Sequence, residues 1–311
     1  MQNREEIAAW LQNLQNNICT ALEKADGKAI FTKENWTRPE GGGGISRIIT
    51  NGAVIEKGGV NFSAVHGKAP GFLFTEKEHA ARAEKKEGLT FYATGVSIVI
   101  HPQSPMVPII HMNIRYFEMS PPAGEAGNSV HWLGGGIDLT PHYINDTDAK
   151  YFHKTLKSVC DKHHANYYAE FKKWADNYFF IPHRNETRGI GGIFFDRLNS
   201  NDEMSFEKNL AFWKEVGETF APLYIELVNR NKELPYGETE KQWQLMRRGR
   251  YAEFNLVYDK GTKFGLETNG RIESILMSLP PLASWLYDFK PQQGSREEKT
   301  LSLLKKGIDW V

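Results

Sequence analysis

The chain is poor in cysteine: its 311 residues include two, Cys19 and Cys160. That excludes a disulfide framework and a cysteine-built metal motif, and a reducing compartment is the simpler reading. Long apolar runs are missing as well. No stretch approaches the ~18–20 residues that span a bilayer, so no stable membrane insertion is expected. The first thirty residues carry early charges and no unbroken apolar region, unlike a signal peptide, and are too acidic for an organelle transit peptide. Neither sign of charge is in excess, with 38 Lys and Arg against 38 Asp and Glu. A neutral chain has no global field for nucleic acid, and no aromatic–basic interleaving marks a stacking platform. Repeated βαβ units and a glycine-rich nucleotide fingerprint are absent too. What remains reads as a cytoplasmic protein of one domain, residues 1–311, with 40% hydrophobic residues to build its core.

Ile7, Trp10, Leu11, Leu14, Ile18 and Leu22 recur at helical spacing and predict an amphipathic N-terminal helix. After the glycine run Gly41 to Gly44, ISRIITNGAVIEKGGVNFSAVHG alternates around Asn51-Gly52, a hairpin signal. Residues 90–120 read as two strands, and Ser129 to Asp138 as another, interrupted by Gly134, Gly135 and Gly136. From Asp146 onward more than thirty residues lack proline and glycine, which predicts one or two helices capped by Asp146 or Thr147. GIGGIFFDRL reads as a short strand, and 204–230 as a helical stretch with Gly217 and Pro222 as breakers. YAEFNLVYDKGTKFGLE, residues 251–267, alternates like a hairpin around Asp259, Lys260 and Gly261. Residues 274–289 are apolar and end near the surface. Segregated strands and helices favour an α+β fold with a mostly antiparallel sheet.

Chemistry concentrates in SIVIHPQSPMVPIIHMNIRYFE and HWLGGGIDLTPH. In a strand His111, Asn113 and Arg115 share one face, with Met112 and Ile114 on the other. Arg115 offers a fork matched to a carboxylate, and Asn113 can orient it; the plain alternative is the wet face of an edge strand. The glycines before Asp138 admit close approach to the backbone by a planar ligand; the plain alternative for Asp138 is a turn cap. His101, His111, His153 and His183 are a candidate metal set, but without the tight pairing of known zinc helices. Arg184, Arg188, Arg247, Arg248 and Arg250 read as solvated faces. A histidine-ligated metal oxygenase and a binding module without turnover both stay open on these residues.

Six long segments in order resemble the oxygen-dependent coproporphyrinogen III oxidase family. They are GGGGISRII, GVNFSAVHG, HPQSPMVPIIHMNIRYFE, WLGGGIDLTPHY, YFFIPHRNETRGIGGIFFD and YAEFNLVYDKGTKFGLETNGRIESILMSLPP, and the likeness runs from about Asn35 to the C-terminus. The length and the N-terminus resemble the bacterial form. The resemblance implies a seven-stranded, mostly antiparallel sheet flanked by helices. It implies oxidative decarboxylation of the ring A and B propionates of coproporphyrinogen III to vinyl groups, giving protoporphyrinogen IX in haem biosynthesis, with dioxygen as co-substrate and no organic cofactor. The unrelated anaerobic enzyme for this step would need a cysteine cluster that the chain lacks. Carried over by position, Ser97, Asn113, Arg115, Asn269, Gly270 and Arg271 are implied substrate contacts; Asn269 departs from the usual Gly-Gly-Arg. His111 is the implied proton donor, and Asp138 an aspartate near the pyrrole nitrogens. His101, His111, His153 and His183 are the implied ligands of a divalent metal, which is not expected to be essential. A homodimer is implied, with residues 251–286 in its interface.

Overall fold

The computed structural model describes residues 3–69, 88–121, 129–200, 204–267 and 270–311. Helix α1, Arg4–Asp26, opens with a capping box: Asn3 Oδ1 accepts from the Glu6 N–H at 2.8 Å, and Glu6 Oε2 accepts from the Asn3 N–H at 3.2 Å. Its buried stripe holds Ile7, Leu11, Leu14, Ile18 and Leu22. The terminal Asp26 carboxylate then accepts from the backbone N–H groups of Ala29, Ala53, Val54 and Ile55. It thereby pins α1 to the turn between the next strands. A side chain at Gly52 would collide with that carboxylate, 2.1 Å from the added Cβ.

Strands β1 (Thr32–Thr37), β2 (Gly42–Thr50), β3 (Ile55–Lys68), β4 (Thr90–Pro102), β5 (Ile109–Ser120) and β6 (Val130–Thr140) follow one another across one sheet. Helices α2 (Asp146–His163) and α3 (Tyr167–Tyr178) come next, then the two-residue pair β7 (Phe180–Ile181) and β8 (Glu186–Thr187). Strand β9 (Gly192–Leu198) closes the large sheet beside β6, giving seven strands, each pair antiparallel. The rest is helical: α4 (Phe206–Asn231), α5 (Glu238–Val257), α6 (Lys260–Glu267), α7 (Ile272–Leu276) and α8 (Arg296–Leu303).

The hairpin at Asn51-Gly52, the strands over 90–120 and the short strand at 192–198 stand as expected from the sequence. Three local expectations do not. The cap of α2 is Asn145, whose side chain accepts from the Thr147 and Asp148 N–H groups. Helix α4 runs through Gly217 and Pro222 unbroken; Gly217 is a contact point, because a Cβ there would lie 2.8 Å from Ile114 and 2.9 Å from Leu14. The expected hairpin over 251–267 is the end of α5 and all of α6. Trp243, Arg247, Tyr251 and Phe254 bury at helical spacing, and Asp259 accepts from the Thr262 N–H at 2.7 Å, capping α6.

The two faces of the sheet differ. On one, Val96, Ile98, Ile100, Ile110, Met112, Ile114, Leu133 and Ile137 join α1, α2 and α4 in a single core. The other carries Ser97, Val99 and His101 from β4, His111, Asn113 and Arg115 from β5, and Gly134, Gly136 and Asp138 from β6. Segments α5 to α7 lie over this second face. Asn61 Nδ2 donates to the Ser274 carbonyl, Lys57 Nζ to the Leu279 carbonyl, and Ser46 and Ser274 share a hydrogen bond of 2.9 Å.

Candidate active site

Strand register assembles the site. His111 pairs with Val99 on one side and Asp138 on the other, and Asn113 lies between Ser97 and Gly136. The shared face expected for His111, Asn113 and Arg115 is therefore present, and it is central rather than an edge. Ser97 and Asn113 are half-buried beside it.

Asp138 is 1% exposed. Its Oδ1 lies 2.7 Å from His111 Nδ1 and accepts from Arg188 Nη2 at 2.8 Å. Its Oδ2 accepts from Arg188 Nη2 and Nε at 3.0 and 3.2 Å. Burial acts to raise the carboxyl pKa, but the Arg188 charge and the His111 contact outweigh it and hold Asp138 below its ordinary value. Arg188 is itself buried, donates to Asn255 Oδ1 at 2.8 Å, and lies 4.5 to 4.7 Å from the ring centres of Phe179, Tyr251 and Phe254. A carboxylate on Nδ1 makes that nitrogen an N–H donor and leaves Nε2 as the ring nitrogen open to another group. Among the described residues Nε2 has no hydrogen-bond partner, and the side chain is 19% exposed. The turn-cap reading of Asp138 does not survive. Both Asp138 oxygens are engaged by His111 and Arg188.

Arg115 Nη1 donates to Asn113 Oδ1 at 3.0 Å, and its Nη2 lies 3.0 Å from Asp196 Oδ1 on β9. The glycine run makes room for side chains of the chain itself. A Cβ at Gly134 would meet Asp196 Oδ1 at 2.5 Å and the Arg115 guanidinium at 3.0 Å; at Gly135, Phe195 at 2.9 Å; at Gly136, Phe194 at 3.0 Å. Across the cleft, Arg271 Nη1 donates to Ser274 Oγ at 2.9 Å, and its Nη2 pairs with Glu34 on β1. The Gly270 N–H is already given to the Gly265 carbonyl. Asn269 lies outside the described residues.

The four histidines of the candidate metal set are not brought together. His101 is buried on the site face, with Nε2 2.9 Å from the Ser278 carbonyl. His153 lies in α2 on the opposite layer, its nitrogens 2.9 Å from Tyr168 Oη and 3.0 Å from the Ile190 carbonyl. His183 is exposed beside Tyr258 and Glu253. His101 Nδ1 and His111 Nε2 have no hydrogen-bond partner among the described residues, the first buried and the second on a partly exposed side chain. Among the described residues no three His, Cys, Asp or Glu side chains are grouped to hold a metal ion, so these residues do not fit such a centre.

Sequence reasoning missed Arg188, Asn255 and Asp196. Arg188, Arg247 and Arg248 are each at most 3% exposed, not solvated. Burial of an arginine leaves no periodic trace. Its carboxylate partners, Asp138, Glu186 and Glu56, are 50 to 192 residues away in sequence.

The fold is that of an α+β protein whose antiparallel sheet carries a carboxylate-backed histidine and two partly exposed arginines on its polar face, groups suited to a ligand rich in carboxylates. The coproporphyrinogen III oxidase family model matches residues 6–310. An oxygen-dependent coproporphyrinogen-III oxidase, chloroplastic, of Glycine max is 47% identical over 309 residues, which cover 99% of this chain and 80% of that protein. The chain belongs to the coproporphyrinogen III oxidase family. Its reaction is the oxidative decarboxylation of two propionates of coproporphyrinogen III to vinyl groups, with dioxygen as co-substrate.

Proposed function

We propose that this chain makes protoporphyrinogen IX on the face built from Ser97, His111, Asn113 and Arg115, with Asn269, Gly270 and Arg271 as its further substrate contacts. The observation that carries the reading is the His111–Asp138–Arg188 line, with His111 Nε2 unpartnered among the described residues on a partly exposed side chain. For each propionate, carbon dioxide leaves one end of the ethylene unit and hydrogen leaves the other. The two electrons released pass from the electron-rich macrocycle to dioxygen. With the lost hydrogen and one further proton, each dioxygen becomes hydrogen peroxide. Arg115 and Arg271 hold carboxylates by charge-assisted pairs, and Ser97 and Asn113 orient the arm between them. His111 Nε2 handles the proton, and Asp138 acts through His111 by fixing its tautomer.

The same reading takes the chain as one domain over 1–311, supported by a buried core that runs from Ile7 to Trp310. It takes the protein as cytoplasmic; no helix among the described residues is long and apolar enough to cross a membrane. It takes the working form as a homodimer with residues 251–286 in the interface. Purified protein should consume dioxygen and convert coproporphyrinogen III through a tripropionate monovinyl intermediate, followed by product mass. Absence of decarboxylation under air by folded protein would overturn the function.

A further inference from the structure

Both arginines proposed to hold substrate carboxylates are already paired with carboxylates of the chain, one from each edge of the sheet. Asp196 on β9 faces Arg115, and Glu34 on β1 faces Arg271. Glu34, Ser46, Asn61, Ser97, Asn113 and Gly136 form one cross-strand row. Ser46, touched by Arg271, and Asn113, touched by Arg115, are three strand spacings apart, about 14 Å. That span suits a tetrapyrrole with its acid arms extended. The Arg115 pair is a charge contact: Asp196 Oδ1 is within 3.0 Å of Nη2 but accepts no aligned hydrogen bond. Gly134 gives it room, since a Cβ there would displace both partners. Both pairs reach solvent, with side-chain exposures of 34% and 31% for Arg115 and Asp196, and 24% and 62% for Arg271 and Glu34.

We propose that Asp196 and Glu34 are resident counter-ions that substrate carboxylates displace on binding. This rests on the reading of Arg115 and Arg271 as carboxylate contacts. The reaction gives the exchange a purpose. Each decarboxylation removes a negative charge as carbon dioxide and leaves the arginine that held it unpaired. The resident carboxylate then re-pairs with that arginine, so the macrocycle is released to present its next propionate or to leave. A partly exposed, poorly aligned pair is weak enough to open and close in each cycle.

The test uses coproporphyrin III, the oxidised and unreactive macrocycle with the same four carboxylates, titrated at low salt by protein fluorescence quenching. Asp196→Asn and Glu34→Gln should each bind it about fivefold more tightly, the competition removed with a weak ion pair. KM for coproporphyrinogen III should fall while kcat does not rise, a split that a merely structural role would not produce. On an Arg115→Ala background, Asp196→Asn should change nothing. Unchanged or weaker binding in both acidic variants overturns the exchange. If Arg115→Ala itself binds like the wild type, the carboxylate contact is wrong; if it weakens binding while the acidic variants fail to tighten it, only the exchange is wrong.

Discussion

At the residue scale the decisive group is Asp138, whose two roles are separable. Its charge orients His111, and it also neutralises Arg188, a buried guanidinium. Asp138→Asn should therefore lower kcat by about 10²-fold. It should also destabilise the fold by about 3–5 kcal/mol, because an unpaired charge stays buried. His111→Ala breaks the same line at its exposed end. It should lose a similar factor in kcat while costing only about 1 kcal/mol of stability. Steady-state kinetics beside urea unfolding separates the two, and equal stability losses would place His111 in a structural role. Asp138→Asn thus looks conservative in sequence and is not so in the fold.

At the scale of elements, buried histidines act as docking points. His153 ties α2 to α3 through Tyr168 and to the loop before β9 through the Ile190 carbonyl. Burial pushes its pKa down to about 3, and that of His101 likewise to about 3. An unfolded histidine takes its proton near roughly pH 6.5. Below that pH the unfolded chain binds protons that the folded one refuses. Stability is complete above 6.5 and falls as pH drops from 6.5 towards 3, by up to about 1.4 kcal/mol per unit for each histidine. His153→Gln should remove one proton's share of this slope, measured as the urea midpoint between pH 7 and pH 4.5. An unchanged slope would show that His153 is not among the groups that titrate. The same scale holds the largest error of sequence reading. Residues 251–267 alternate enough to resemble a hairpin, yet Trp243, Arg247, Tyr251 and Phe254 share one side of α5.

At the scale of the whole molecule, α5 to α7 and the segment after them face two ways. Inward, they cover the site with Tyr251, Asn255, Ser274 and Met277. Outward, Leu256, Val257, Phe264, Leu266, Ile272, Leu282, Trp285, Leu286 and Tyr287 are exposed. So much apolar surface on one segment fits a two-fold contact. Tyr251, expected there from sequence, is 1% exposed and belongs to the inside. Sedimentation at micromolar concentration should give a dimer, and Leu282→Glu with Leu256→Glu should shift it toward monomer. A wild type that sediments as a monomer would refute the contact. Because the same segment roofs the site, the monomeric variant should also lose turnover.

The sequence by itself determined the family, the α+β class, most strands and the shared face of His111, Asn113 and Arg115. Those features are local: a period of two, an Asn-Gly turn, or a long ordered run of residues. Only the tertiary structure decided what each charge meets. Arg188 and Asp138 are 50 residues apart in sequence, and Arg271 and Glu34 lie still farther apart. It also separated His101, His153 and His183 from His111, turning an apparent ligand set into two buried docking pins, a surface residue and a histidine backed by Asp138. The reason is physical. Periodicity reports which side of an element is buried, whereas burial of a charge depends on a partner delivered by another element. That partner is chosen by strand register and helix packing, neither of which any short segment encodes.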